Sequence, residues 1–245
     1  MPAHTRPVLL LTRPTEASDA VARRFADMPV EIVISPLIEI ELREGIEVPE
    51  GTRGLVLTSV NGARAAGALK GPPMTAWCVG RATARAAEQA GYRAVSADGD
   101  ATALVGLIQS QHAAGPLAHI RGDHSRGDVA GRLRANGIVC HEVLAYAQHL
   151  RPLTQGARTV LGESQSVIVP LYSPRTASAF AESGEFSAPI HIVALSDAVA
   201  EEARAANPSS MTVAARPTGA AMIEEIVRAI ADHSVGPLEG PDGTH

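Results

Sequence analysis

The chain has 245 residues, of which 45 % are hydrophobic, 19 % are charged and only 3 % are aromatic, and its formal net charge at pH 7 is −5. This is the composition of a globular protein, so extended disorder is excluded, and the negative charge with so few aromatic rings argues against a nucleic-acid-binding protein. A membrane helix is excluded too, because it needs roughly 20 apolar residues and the densest runs, Val8–Leu11 and Val167–Leu171, are only as long as strands.

Short apolar, β-branched runs alternate with amphipathic segments along the whole chain. The runs predict strands at 8–12, 31–34, 54–58, 76–79, 93–96, 117–120, 138–141, 167–171, 190–194 and 211–214. Helical periodicity occupies most of the gaps, as at 16–27, 82–90, 126–135, 198–206 and 220–231. This alternation predicts an α/β fold with parallel sheets, and the length suits one large domain or two small ones.

An internal repeat covers nearly the whole chain. Gly80 lies 22 residues before Thr102, and Ser196 lies 22 residues before Thr218, with helix, strand and helix predicted in the same order after each. The other matching segments are 56–61 with 170–175, 12–14 with 120–122, and 21–25 with 129–133. Two copies of about five strands each predict two flavodoxin-like sheets.

A segment of alternating apolar and polar residues follows the second strand of each copy. These segments, 35–42 and 142–149, predict a two-stranded β connector between domains. If the chain crosses at both, the predicted domains are 1–34 together with 150–245, and 43–141. The fold prediction is therefore α/β, with two flavodoxin-like parallel-sheet domains joined by a two-stranded β connector and the first domain discontinuous.

The loops after the predicted strands are rich in small hydroxyl residues, glycine and arginine. Such loops bind ligands in folds of this kind, and free backbone N–H groups at helix N-termini attract anions. Several of them together predict a site for a ligand with many carboxylates or phosphates. A purely structural alternative is that Ser59, Ser173 and Thr176 only cap their helices. The candidate binding residues are Thr12, Arg13, Ser59, Asn61, Gly80, Thr83, Ser173 and Arg175.

Motifs that indicate a nucleotide, a metal or a catalytic serine are missing from the sequence. No GxGxxG follows the first strand, and GxxxxGK[ST] and GxSxG do not occur. Cys78 and Cys140 have no CxxC spacing, and the nine histidines have no HExxH-like spacing. We therefore predict no metal site and no cofactor. Both thiols are expected to be buried and reduced, as in a cytoplasmic protein.

The order of these motifs resembles the uroporphyrinogen-III synthase family over residues 8 to about 230. The matching segments are Leu-Thr-Arg-Pro at 11–14, Ser-Pro-Leu-Ile-Glu-Ile at 35–40, Leu-Thr-Ser-Val-Asn-Gly at 57–62, Val-Gly-Arg-Ala-Thr-Ala at 79–84, the connector at Tyr146 and Ser-Pro at 173–174. The fold that the resemblance implies is two α/β domains joined by a β-ladder, with the first domain discontinuous, and this agrees with the crossing predicted above.

The resemblance also implies a reaction. The family cyclises the linear tetrapyrrole hydroxymethylbilane to uroporphyrinogen III, with loss of water and inversion of ring D through a spiro intermediate. Because an electron-rich pyrrole drives loss of the hydroxyl, this chemistry requires no cofactor. The resemblance places Tyr146 near the leaving hydroxyl, where a phenol, which is protonated at pH 7, can act as an acid. The alternative is that Tyr146 is a connector side chain that packs between domains.

The substrate implied by the resemblance carries eight carboxylates, whereas the protein is net negative. Local arginines and helix N-termini must therefore outweigh the overall charge. The resemblance assigns Ser59, Thr83 and Ser173 to this role, and the residues themselves add Arg13 and Arg175. We expect a monomer that acts on this small molecule and makes a transient contact with the preceding deaminase.

The sequence departs from the family pattern in two places, and the first of them supports a second hypothesis. The second copy of the Val-Gly-x-x-Thr motif reads Leu-Ser-Asp-Ala-Val at 195–199, so its glycine and threonine are missing and Asp197 adds a negative charge. The closing Thr-Ser reads Tyr172-Ser173. The alternative function is therefore a non-catalytic module that binds a tetrapyrrole or another anion on the same scaffold.

Overall fold

The residues that the computed structural model describes are 6–111, 115–124, 127–163 and 166–234. Their contacts divide the chain into two compact units. Unit 1 consists of Met1–Glu39 and Leu150–His245, and unit 2 consists of Ile40–His149. Within the described ranges, no helix is both long enough and apolar enough to cross a membrane.

Strands and helices alternate through the described residues, except that the second, third and fourth strands follow one another directly. The strands are β1 Val8–Leu11, β2 Glu31–Ile34, β3 Ile38–Leu42, β4 Gly54–Leu57, β5 Thr75–Cys78, β6 Arg93–Ser96, β7 Leu117–Gly122, β8 Cys140–Leu150, β9 Val167–Leu171, β10 Ile190–Ala194 and β11 Ser210–Val213. The helices are α1 Thr15–Phe25, α2 Val60–Ala66, α3 Arg81–Gln89, α4 Ala101–Ser110, α5 Val129–Ala135, α6 Gln155–Gly162, α7 Pro174–Ala181, α8 Asp197–Ala203 and α9 Gly219–Ser234.

The sheet of unit 1 has the strand order β11-β10-β9-β1-β2, and its pairings are parallel. In the central strand β1, Val8 lies opposite Glu31 of β2 and Val167 of β9. All of β1 is buried because α6, α7 and α8 cover one face of the sheet and α1 and α9 cover the other. The carboxyl ends of β1, β9 and β10 therefore share one edge, where α1, α7 and α8 begin.

The sheet of unit 2 has the strand order β3-β8-β7-β4-β5-β6, and the pairings from β8 to β6 are parallel. Helices α2 and α3 cover one face, while α4 and α5 cover the other. Because β4 and β5 are neighbours, the helices that follow them, α2 and α3, begin side by side at the carboxyl edge of this sheet.

The structure confirms the predicted α/β fold with two parallel sheets and a paired connector. In the connector, the backbone N–H of Arg43, the residue after β3, donates to the carbonyl of Ala145 in β8. The chain leaves unit 1 within β3 and returns to it within β8. The predicted boundaries, 1–34 with 150–245 and 43–141, stay a prediction about domains that fold as units.

One element was predicted wrongly. A strand at 138–141 that ends before the connector does not form. The N–H of Ile138 still donates to the carbonyl of Leu133 in the turn after α5, so the strand begins only at Cys140. A single strand, β8, runs from Cys140 to Leu150, and β3 pairs with it as the edge strand of the sheet. The second sheet therefore has six strands where five were predicted.

The internal repeat is visible in the backbone at the helix starts. Ser59 before α2 has φ −153° and ψ 155°, and Ser173 before α7 has φ −149° and ψ 147°. Gly80 before α3 has φ −159° and ψ 172°, and Ser196 before α8 has φ −160° and ψ 167°. The two copies found in the sequence therefore share local geometry as well as strand order.

Candidate active site

Ser59 begins the site in unit 2. It follows β4 in an extended conformation, and its Oγ accepts a hydrogen bond from the N–H of Gly62 at 2.9 Å. Ser59 is therefore the N-cap of α2, which satisfies one of the free donors at the helix start. The capping role was the structural alternative considered for this residue, and the structure shows that its hydroxyl does more than cap.

Tyr146 lies in β8, and its hydroxyl is 2.9 Å from the Oγ of Ser59. Either hydroxyl can be the donor of this hydrogen bond. The Tyr146 side chain is only 4 % exposed and packs into the core between the sheet and helices α2 and α3. Its phenol is thus held in one orientation at the carboxyl edge of the sheet, next to the N-terminus of α2.

A bulge in β8 puts Tyr146 in this position. Arg121 of β7 lies opposite Leu144, but the next residue, Gly122, lies opposite Tyr146, so Ala145 is an extra residue. Both Ala145 and Tyr146 are buried, whereas strict alternation along a strand would bury only one of two neighbours. The bulge therefore turns Tyr146 toward the core, as bulges near functional sites do.

Gly122 makes room for the Tyr146 ring. A Cβ built on Gly122 would lie 2.4 Å from Cε2 of Tyr146, far inside van der Waals contact. The ring thus lies against the Gly122 backbone. The N–H of Asp123 also donates to the carbonyl of Tyr146 at 3.1 Å, which ties the end of β7 to the bulge.

The other candidate residues of unit 2 lie in the first turns of α2 and α3. Asn61 is the second residue of α2 and is half-buried. Gly80 precedes α3, and a Cβ there would meet nothing within 4 Å, so open space lies next to its backbone. Thr83 is the third residue of α3 and is buried. The structure brings Ser59 and Tyr146 into contact. It places Asn61, Gly80 and Thr83 at the N-termini of α2 and α3.

In unit 1, the candidate residues follow β1 and β9. The Arg13 guanidinium lies over the ring of Tyr172, 4.3 Å from the ring centroid. Burial raises the pKa of Tyr172, although Arg13 acts in the opposite direction. Thr12 is fully buried, and its Oγ1 has no hydrogen-bond partner among the described residues. The contact between Arg13 and Tyr172 joins the loops after β1 and β9 through a charged group and an aromatic ring.

Helix α7 supplies the remaining candidates of unit 1. Ser173 is its N-cap, and the Ser173 Oγ accepts from the N–H of Thr176 at 3.1 Å and lies 2.8 Å from the Thr176 hydroxyl. Arg175, the second residue of α7, is half-buried. The binding roles of all these residues stay a prediction.

A comparison with protein families identifies the family of this chain. The family model described as uroporphyrinogen-III synthase HemD matches residues 19–224. The chain belongs to this family. Its function is accordingly that of a uroporphyrinogen-III synthase in tetrapyrrole biosynthesis.

Solved structures of uroporphyrinogen-III synthases share the fold. The enzyme from Helicobacter pylori 26695 is 17 % identical, with a TM-score of 0.66 over 91 % of this chain and 99 % of that chain. A mutant of the enzyme from the extremely thermophilic bacterium Thermus thermophilus is 16 % identical, with a TM-score of 0.50 over 92 % of this chain and 99 % of that chain. No curated protein sequence matches the chain.

Sequence reasoning missed a buried histidine next to the synthase motif at 57–62. His119 in β7 is 1 % exposed, and its Nε2 is 3.1 Å from Oγ1 of Thr58. Burial, with a smaller contribution from the positive charge of Arg121, lowers the pKa of His119 to about 4. The imidazole is therefore neutral at pH 7. A histidine inside an apolar strand, at 117–120, was the sequence signal that could have found it.

The buried imidazole makes stability depend on pH. We expect the free energy of unfolding to fall by about 2 kcal/mol between pH 7 and pH 5 on account of His119. Its folded pKa of about 4 lies below the ordinary 6.5, so over this interval the unfolded chain binds a proton that the folded chain does not. Above pH 7 both forms are neutral and the contribution disappears.

The measurement is urea unfolding at both pH values, followed by the fluorescence of Trp77, which is the single tryptophan and lies in β5. His119→Leu should lose less stability than the wild type between pH 7 and pH 5, by the same amount. Equal losses in both proteins would contradict the assignment.

The described part of the chain offers no group of three or more His, Cys, Asp or Glu side chains that could hold a metal ion. Cys78 and Cys140 are buried and form no disulfide, in agreement with the prediction of buried free thiols. Burial raises the pKa of Cys78 to about 12 and that of Cys140 to about 11. Both side chains are therefore unreactive thiols at neutral pH.

Proposed function

We propose that this protein is a cofactor-independent hydro-lyase that closes hydroxymethylbilane to uroporphyrinogen III, with loss of water and inversion of ring D through a spiro intermediate. Family membership supports the reaction, and one observation carries the assignment of the acid. The buried Tyr146 hydroxyl lies 2.9 Å from the Ser59 hydroxyl at the N-terminus of α2.

Tyr146 is the catalytic residue of this proposal. The electron-rich pyrrole expels the terminal hydroxyl, and the Tyr146 phenol donates a proton to it as it leaves as water. The negative charge that develops on the phenol is stabilised by the hydrogen bond from Ser59 and by the nearby N-terminus of α2. A weak acid is sufficient because the pyrrole nitrogen provides most of the driving force.

The choice of isomer depends on positioning. End-to-end closure without an enzyme gives the uninverted isomer, so the protein must hold the chain such that the substituted carbon of ring D attacks first. Proposed anion contacts are the backbone N–H groups and hydroxyls at the starts of α2, α3 and α7, with two arginines. The substrate-binding residues proposed are Thr12, Arg13, Ser59, Asn61, Gly80, Thr83, Ser173 and Arg175.

Helix α8 contributes less to this recognition. Its N-cap, Ser196, has the backbone conformation of Gly80 in the other copy, but the following Asp197 exposes a carboxylate at the helix start. A carboxylate there repels a polyanionic substrate and competes for the free N–H groups. The departure at 195–199 is thus compatible with catalysis if α3 and α7 supply the main anion contacts.

We also propose where the reaction takes place, in which oligomeric state, and how the substrate reaches the enzyme. Two buried thiols without a disulfide are typical of a reducing compartment, which supports a cytoplasmic location. We infer a monomer that receives its short-lived linear substrate through a transient contact with the preceding deaminase. The discontinuous domain 1–34 with 150–245 and the inserted domain 43–141 are proposed to fold as units.

The test is a coupled assay that starts from porphobilinogen and the preceding deaminase. After oxidation, chromatography separates isomer III from isomer I, and we expect isomer III to dominate when this protein is present. Accumulation of isomer I alone, with the deaminase active, would overturn the proposed function. If the protein then still bound the linear tetrapyrrole, the non-catalytic module would be the better description.

A further inference from the structure

The pair His119 and Thr58 lies on the opposite face of the sheet from Ser59 and Tyr146. His119 is opposite Val56 of β4, and Val56 belongs to the core cluster beneath α4 and α5. Thr58, two residues after Val56, extends along this same face, where its Oγ1 is 3.1 Å from Nε2 of His119. Tyr146 packs into the other cluster, beneath α2 and α3.

Packing alone does not require a histidine at this position. In the internal repeat 120–122 matches 12–14, so Leu11 of β1 is the equivalent of His119, and both are 1 % exposed. The Nδ1 of His119 is buried and has no hydrogen-bond partner among the described residues. An unsatisfied buried nitrogen weakens a fold. Packing therefore does not account for the imidazole. What distinguishes it from a leucine is its hydrogen bond with Thr58.

We propose that His119 is a positioning residue that fixes the turn between β4 and α2 through Thr58, and thereby holds Ser59 against Tyr146. Thr58 and Ser59 are consecutive and are anchored on opposite faces of the sheet. The turn cannot rotate without breaking one of the two hydrogen bonds. This inference rests on the proposed function, because the pair that His119 holds is the proposed acid and its partner.

The surroundings of His119 keep its imidazole in one protonation state. The charged groups near His119 are Arg121, two residues further along β7, and Asp128, the N-cap of α5. Because the imidazole is buried and neutral at pH 7, its contact with Thr58 is a hydrogen bond between neutral groups. The protonation state of this pair therefore does not change at pH values near 7. The position of Ser59 is then independent of small changes in pH.

The experiment compares His119→Leu and Thr58→Val with the wild type. We expect each variant to lower kcat about tenfold with KM unchanged, since catalysis is sensitive to small displacements of the reacting groups. The Tm of His119→Leu should equal or exceed that of the wild type, whereas Thr58→Val, which leaves the buried Nε2 of His119 without its partner, should have a lower Tm. His119→Gln, whose amide can reach Thr58, should recover most of kcat. Cys140→Ala, in the same core cluster, should lower Tm and leave kcat unchanged.

A double-mutant cycle separates positioning from a general structural effect. In the Tyr146→Phe background, His119→Leu should have little further effect on kcat, because no phenol remains to be positioned. Multiplicative losses, or full activity of His119→Leu in the wild-type background, would overturn the inference. If the wild type itself forms no isomer III, it is the proposed function that fails, so the two failures are distinguishable.

Discussion

Replacing Tyr146 by phenylalanine is expected to lower kcat for isomer III about 100-fold, in the range that loss of a general acid gives. KM should change little, because the ring and its packing remain. Isomer I should rise in proportion, since substrate that the enzyme no longer converts is released and closes without inversion. Stopped assays with chromatographic separation of both isomers measure the two effects together.

Tyr92→Phe is the matched control for this prediction. The Tyr92 hydroxyl donates to the carbonyl of Ala66 at 2.6 Å, so its removal also deletes one phenol hydrogen bond from unit 2. Both variants should lose about 1 kcal/mol of stability, and only Tyr146→Phe should lose activity. Wild-type kcat in Tyr146→Phe, or an equal loss in the control, would remove Tyr146 from the chemistry.

Gly122→Ala is expected to reduce kcat by about 100-fold as well, because a displacement of about 1 Å in a reacting group has effects of that size. The new methyl group would lie 2.4 Å from Cε2 of Tyr146, so the ring must move. The overpacked core should also lose about 1–3 kcal/mol of stability. Steady-state kinetics and thermal unfolding of the same preparation measure both quantities.

Gly106→Ala provides the control, since a Cβ on this residue in the interior of α4 meets nothing within 4 Å. It should keep full activity and gain up to about 1 kcal/mol of helix stability. In the Tyr146→Phe background, Gly122→Ala should add little further loss of kcat. A Gly122→Ala enzyme with normal kcat would show that the ring position is unimportant.

The regular parts of the fold were predictable because buried parallel strands are short, continuous apolar runs. The bounds of β2, β6 and β9 agree with the prediction, and β1 differs by one residue at its end. The extent of β8 was not predictable, because its alternating pattern is the same whether it forms an isolated ribbon with β3 or continues a strand of the sheet. Helix α2, with seven residues, is too short to show helical periodicity.

The candidate site was predictable only in part. Ser59 could be found from its place after a buried strand, but its contact with Tyr146 joins residues 87 positions apart and depends on the order of strands between them. The bulge at Ala145 and the close approach at Gly122 arise from register, which no local pattern specifies. His119 was missed because a lone histidine in an apolar strand has no recognisable motif.

The crossings within β3 and β8 also determine an order of assembly during synthesis. Every strand of the second sheet lies between Ile38 and Leu150, whereas Val8 pairs with Val167, which is made 159 residues later. Contacts between distant residues form slowly because a long loop must close first. We therefore expect the middle of the nascent chain to become structured first, while β1, which has β2 on one side, lacks its other neighbour until β9 leaves the ribosome.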